Sequence, residues 1–228
     1  LSNTNPNYRA TLVILNDIEK KGLYHFNPEY HDEQFFLNFI DFQKRFSNSL
    51  SEIIRRLDES EINSEDVIFF TIYSMTSFIN SHFKIFEKFL KIIINPQKLK
   101  GGFDENTTLN QMLKKICNKM QYNLKLKNAI HGMFLSDFSD AVSQNYYSIS
   151  KDGYLTIFSK DNPEKKKIGL DELYDYSLQV RTIFNAMLNW ADNSEVLEKN
   201  KFETIDGIVK NLINQVDSLD EKLTRISS

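Results

Sequence analysis

SEDVIFFTIYSMTSFINSHFKIFEKFLKIII, residues 64–94, contains neither glycine nor proline and is apolar on most of its sides, through Phe69, Phe70, Ile72, Met75, Phe78, Ile79, Phe83, Phe86 and Leu90. So long a run without breakers predicts one helix. A helix that is apolar nearly all round sits centrally, with neighbours on several faces. Asn95-Pro96 closes it, because a residue before proline is pushed out of the helical region.

The flanking sequence supplies those neighbours. Upstream, Asn5-Pro6 opens a first helix with Leu12, Leu15 and Ile18 as its stripe, and Gly22 offers a left-handed end. Phe35, Phe36, Phe39, Phe42, Phe46, Leu50, Ile53 and Leu57 recur at helical spacing, predicting a second helix over about 32–58. Downstream, a loop passes through Gly101-Gly102. Thr108 with Gln111 is a capping box that starts a helix carrying Leu109, Met112, Leu113, Ile116 and Met120. A short helix over about 124–135 follows. The texture then turns to β-type runs, Tyr146-Tyr147-Ser148-Ile149 and Tyr154-Leu155-Thr156-Ile157-Phe158, joined through Asp152-Gly153, a hairpin signal. Asp171 is placed to cap a last helix reaching about Ala191.

The fold class is therefore all-α: a helical bundle of about six helices with one small β-hairpin over residues 146–158, forming a domain over 1–192. Beyond it, Phe202, Ile205, Val209, Leu212, Val216, Leu219, Leu223 and Ile226 alternate at steps of three and four. That is a heptad seam, so residues 198–228 read as a coiled-coil-like helix. It either packs on the domain or pairs with a partner.

Composition narrows the function classes. At 228 residues the chain can bury a core without staples. Its 18 phenylalanines against 7 glycines and 4 prolines fit long helices and an aromatic core. A net charge of -3 argues against a non-specific nucleic-acid coat while allowing local basic clusters, here Lys114, Lys115, Lys119, Lys125 and Lys127, and again Lys160 and Lys165 to Lys167. The lone Cys117 excludes an internal disulfide and a thiolate metal cage, and its apolar neighbours read as burial. No apolar run reaches membrane-spanning length and no signal-peptide pattern opens the sequence, so a cytoplasmic location without membrane contact is expected. The first residue is Leu1, which fits a trimmed or partial chain.

No phosphate-binding glycine loop, nucleophile elbow or HExxH zinc signature is present. His25 and His31, with Glu29, Asp32 and Glu33, match no standard ligand spacing, and no metal or cofactor is expected. His82, with Asn80 and Ser81, reads first as a packed polar group of the long helix, and alternatively as a contributor to a pocket shared with His131. The sharpest chemical signal is Lys125-Leu126-Lys127-Asn128-Ala129-Ile130-His131-Gly132. On a helix, Asn128 and Lys127 fall three and four residues before His131 and share its face. An imidazole moves a proton near neutral pH, a cation holds a phosphate and an amide orients it. That kit suffices for attack of a ribose 2′-hydroxyl on its own phosphodiester without a metal.

Lys127-Asn128-Ala129-Ile130-His131-Gly132 resembles the HEPN superfamily motif, an Arg-Asn pair, a few small apolar residues, then His and Gly or Ser. The order around it is similar too. Thr108-Leu109-Asn110-Gln111-Met112-Leu113 precedes it, and a β-type run and Leu170-Asp171-Glu172-Leu173 follow. The resemblance covers roughly residues 64–191. It implies an all-α domain that forms a homodimer through its motif helices. Its active members are metal-independent endoribonucleases of prokaryotic toxin, phage-defence and CRISPR systems. The residues it marks as catalytic are His131, Asn128, Lys127 and Lys125, with RNA as the partner. Lysine stands where the family has arginine, and Lys125 has the family's spacing to His131. The alternative is a catalytically inactive homodimeric helical interaction module, a sensor or scaffold. A protein partner would then be met through the C-terminal helix.

Overall fold

Helix α1 (Pro6–Lys20) starts where Asn5 takes the cap position, its side-chain oxygen accepting from the amides of Asn7 at 2.9 Å and Tyr8 at 3.4 Å. It ends at Gly22, whose φ of 64° is the left-handed conformation that glycine adopts without strain. The structure, a computed structural model, describes residues 5–25, 27–30, 64–150, 152–158 and 166–193, with isolated positions at 34, 38, 41, 45 and 48. Those five positions are helical and exposed, and Arg45 pairs with Asp41 at 2.7 Å. The rest of the helix predicted over 32–58, and the heptad segment 198–228, lie outside the described residues.

The glycine-free stretch forms one helix, α2 (Ser64–Ile93). Its last carbonyls would be left unpaired by the helix itself. The chain leaving α1 satisfies them: the His25 amide donates to Ile93 and that of Asn27 to Ile92, at 3.0 and 2.8 Å. The buried Asn27 side chain donates to the carbonyls of Lys91 and Ile94, at 2.8 and 2.6 Å. Asn27 thus ties the loop to the end of α2.

Helix α3 (Leu109–Lys119) carries the predicted capping box between Thr108 and Gln111. A second acceptor comes from α2, where Glu87 Oε2 accepts from the Leu109 amide at 3.0 Å. Its other oxygen pairs with the buried ammonium of Lys91 at 2.9 Å, and Lys91 also donates to the Glu105 carbonyl at 2.8 Å. These bonds clasp the 101–108 loop between two helices. A sharp turn then leads to α4 (Leu124–Met133).

Two predicted boundaries change. The short helix ends at Met133 and not at about Leu135, because Leu135 itself is left-handed, with φ 46° and ψ 48°. A further helix, α5 (Ser136–Ser143), starts there. It is held to α3 by Asn110 donating to Asp140 at 2.7 Å. The hairpin is real but belongs to a three-stranded antiparallel sheet of β1 (Tyr147–Ile149), β2 (Leu155–Ile157) and β3 (Lys166–Ile168). Tyr147 pairs with Ile157, and Ile157 with Lys166. The third strand is hidden in sequence because Lys166 and Lys167 are exposed and only Ile168 is buried. Gly153 has φ 80°, and a Cβ there would come within 2.9 Å of Ile68 on α2, so the turn requires glycine for both reasons.

The last helix, α6 (Leu170–Asn193), begins one residue before Asp171. Asp171 and Glu172 therefore lie in its first turn, where negative charge suits the helix N-terminus. Helix α6 packs on both α1 and α2. The His82 ring lies 5.3 Å from that of Phe184, and Phe89 lies 6.0 Å from Trp190, so α2 and α6 run in the same direction. Among the described residues the fold is mainly helical, with six α-helices and the small sheet.

Glu87→Ala removes an acceptor from the start of α3 and strands the Lys91 ammonium in the interior. Urea unfolding is expected to show a loss of about 2–3 kcal/mol, short of the largest buried-pair costs because the carboxylate keeps some water contact. A change no larger than that of an ordinary surface substitution would remove the clasp from this account.

Candidate functional site

Helix α4 is short and buries only Ile130 and Met133. It is fixed mainly at its ends. At its start, Gln121 is left-handed (φ 58°), which reverses the chain after α3. Asn123 then caps α4, its Oδ1 accepting from the Leu126 amide at 2.9 Å. Helix α1 holds this turn through Lys21, which donates to the Met120 carbonyl at 3.2 Å. It holds it again through Asp17, which accepts a short hydrogen bond from the Tyr122 hydroxyl. Burial first, and then Asp17, push the Tyr122 phenol well above its usual range, so it remains a donor. At the far end Gln179 of α6 donates to the carbonyls of Gly132, at 3.3 Å, and Met133. Thr11 of α1 reaches the Met133 sulfur at 3.8 Å.

The outward side of α4 carries the residues singled out in the sequence. Lys125 and Asn128 are exposed and His131 is half-buried in the last turn. Each is three residues from the next, so the three form one row of helical neighbours along the surface. Gly132 lies beside the end of this row, and a Cβ there would meet nothing within 4 Å. Lys127, in contrast, turns back to α3 and donates to Asn118 Oδ1 at 2.7 Å. Leu124, 73% exposed, and Leu126 lie on the same helix.

The basic clusters separate in the same way. Lys115 is used by the 101–102 carbonyls. Lys114 and Lys119 remain exposed on α3 near the motif helix. In the second cluster, Lys166 bonds Glu172 and the Tyr176 hydroxyl, both at 2.7 Å, and Lys167 lies 5.5 Å from the Tyr154 ring centre. Cys117 is buried, and desolvation raises its thiol pKa, which makes it a poor nucleophile. His25 is exposed, whereas His31, Asp32 and Glu33 lie outside the described residues. Among the described residues no group of three or more His, Cys, Asp or Glu side chains is placed to hold a metal ion. No described helix is long and apolar enough to cross a membrane.

His82 is buried inside α2, and Nδ1 lies 2.9 Å from the Phe78 carbonyl. That oxygen only accepts, so Nδ1 carries the proton of the neutral ring. His82, Phe83 and Phe86 of α2 meet Phe134 and, on α6, Val180, Ile183 and Phe184 around a gap of about 10 Å³. A gap of that size holds one water at most. His131 is not among the residues lining it. Burial, opposed by the Phe78 bond and reinforced by the positive charge of Arg181, lowers the His82 pKa to about 4. Sequence reading passed over both Arg181, which is 1% exposed, and Gln179. The available signal was a polar and a charged residue within the apolar run Leu178 to Met187 of α6.

No family model, curated protein or solved structure matches the chain.

The buried imidazole makes stability depend on pH. Its folded pKa lies below the unfolded value of 6.5, so the unfolded state takes up the proton first and stability falls as pH drops from 6.5 towards 4. A depression of this size corresponds to about 3 kcal/mol. His82→Leu should remove that part of the slope in denaturant titrations run at successive pH values. Parallel profiles for variant and parent would show that His82 does not titrate as described.

Proposed function

We propose that this chain is a HEPN-like RNA-binding domain that cleaves RNA at α4 without a metal ion. The supporting observation is the row Lys125, Asn128 and His131 on the outer side of a helix clamped at both ends. Lys127 is engaged with Asn118, so Lys125 is the cation assigned to the phosphate. Lys125 also has the spacing to His131 that the superfamily gives its arginine.

In this reading a backbone phosphate sits over the row, with the open side of Gly132 leaving room for it. His131 takes the proton from the ribose 2′-hydroxyl as that oxygen attacks phosphorus, and the bond to the 5′-oxygen breaks. The leaving 5′-oxygen takes a proton from solvent water, the His131 imidazolium returns its own to solvent, and the products are a 2′,3′-cyclic phosphate and a 5′-hydroxyl. Lys125 offsets the charge that builds on the phosphorane oxygens, and Asn128 orients one of them. An ammonium is a point charge without the planar fork of a guanidinium, so cleavage is slow compared with an arginine-bearing site. Two copies pair through their α4 helices, which brings Leu124 and Leu126 out of water.

The second reading, a silent homodimeric interaction module, is favoured by the exposure of Leu124 on this same helix. Purified protein incubated with single-stranded RNA in EDTA separates the two. Cleavage with cyclic-phosphate ends, abolished in His131→Ala and enhanced in Lys125→Arg, is expected. A dimer that neither binds nor cuts RNA would establish the module instead.

A further inference from the structure

Residues 106–136 contain no aspartate or glutamate, and neither do residues 94–103, although the chain has a net charge of -3. Lysines from these stretches and from the end of α1 form a connected strip where α4 begins. Lys127 donates to Asn118 at 2.7 Å, which joins α4 to the last turn of α3. Lys21 donates to the Met120 carbonyl at 3.2 Å, which joins α3 to the end of α1. Lys98, just past α2, donates to the Gly22 carbonyl. Each of these acceptors is a neutral oxygen, so the ammonium groups are held in place without their charge being cancelled. Lys21, Lys98, Lys119 and Lys125 are all exposed. Against them stand Glu19 and Asp17, and Asp17 is taken by the Tyr122 hydroxyl. Like charges fixed along one strip give it a positive potential that draws a polyanion. The other side of the motif is different: residues 132–150 contain no lysine or arginine and two aspartates, Asp137 and Asp140.

Resting on the role proposed above for His131 at the 2′-hydroxyl, we infer that the strip from Lys125 past Lys119 and Lys21 to Lys98 carries the part of an RNA strand lying 3′ of the cleaved bond. In-line displacement sets the direction, because the entering 2′-oxygen and the leaving 5′-oxygen stand on opposite sides of phosphorus. His131 and Lys125 lie about 9 Å apart along the axis of α4. A phosphate over Asn128, with its 2′-oxygen at His131, therefore turns its 5′-oxygen towards Lys125. The nucleotide on that oxygen begins the 3′ part of the strand. The lysines continue from Lys125 away from His131, so successive phosphates of that part meet successive ammonium groups, as a single strand tracks a basic groove. The 5′ part leaves over the side that has no cations and gains no such contacts.

Two 2′-O-methyl oligonucleotides, each with a single ribose that fixes the point of cleavage, test this with the full chain. One carries several nucleotides 3′ of the ribose and one nucleotide 5′ of it; the other is its mirror case. At limiting substrate the 3′-extended strand should be cut faster, and its advantage should shrink about 20-fold between about 50 and 200 mM salt, as contacts from Lys119, Lys21 and Lys98 require. In Lys119→Gln with Lys98→Gln, which keeps Lys21 on the turn before α4, that shrinkage should drop to about threefold. The ratio of the two rates is unaffected by any loss of folded protein. Lys167→Gln, on the sheet, removes an equal charge and should leave the advantage as it is. Equal cutting of the two strands, or faster cutting of the 5′-extended one, would overturn the strip and leave the role of His131 standing. If neither strand is cut, fluorescence anisotropy with the fully 2′-O-methylated strand decides. Binding that weakens in the double variant but not in Lys167→Gln would keep the strip and overturn catalysis by His131, and an absence of binding would overturn both.

Discussion

Everything in the described structure is arranged around the need to cover α2. Thirty residues of helix extend about 45 Å, and the side towards α6 is lined by Met75, Phe78, Phe86 and Phe89, all buried. The edge-to-face contacts of Phe89 with Trp190 and of His82 with Phe184 fix the direction and register of α6. Helix α1 then fills the side of α6, where Asn189 bonds the Tyr8 hydroxyl at 2.5 Å. Two polar side chains that enter this interior do so with partners. Asn27 gives its donors to α2 carbonyls, and Lys91 has a carboxylate and a carbonyl.

The candidate site follows from the same arrangement. A helix of 10 residues with two buried side chains does not persist by its own propensity. Helix α4 is ordered because α1 grips the turn before it and Gln179 of α6 binds the carbonyls at its end. Burial is therefore not needed along its length, and its outer side is left to Lys125, Asn128 and Gly132. A surface helix held in this way can keep a polar row in place without immersing it. His82 shows the opposite case: the same residue type, sunk among aromatic rings beside Arg181, is held neutral and away from the surface row.

The helical framework was legible because its signals are periodic and uninterrupted. The run from Ser64, the capping box at Thr108 and the glycine at position 22 each act through local rules, and each appears where the sequence set it. What escaped reading depends on partners distant in the chain. Strand β3 contributes one buried side chain, too little for an alternation pattern, and exists because β2 offers its free edge. Leu135 adopts a conformation that nothing in its own chemistry favours, and so the break before α5 was not visible. The row on α4 could be read from its spacing. That Lys127 would bond Asn118 while Lys125 stayed in solvent required the packing of α3 against α4, as did the clamp from Gln179.

The central claim is that the outer side of α4 receives RNA. Backbone and side-chain amide signals of the protein, followed by NMR while a short single-stranded RNA with 2′-O-methyl riboses is added, test it most directly, because the modified RNA binds without being cut. The account predicts shift changes concentrated at residues 124–133 and at the side-chain amide of Gln179, weakened when Lys125 is replaced by Ala. Shifts confined to another surface, such as Tyr154 and Lys167 on the sheet, or no shifts at all, would contradict it.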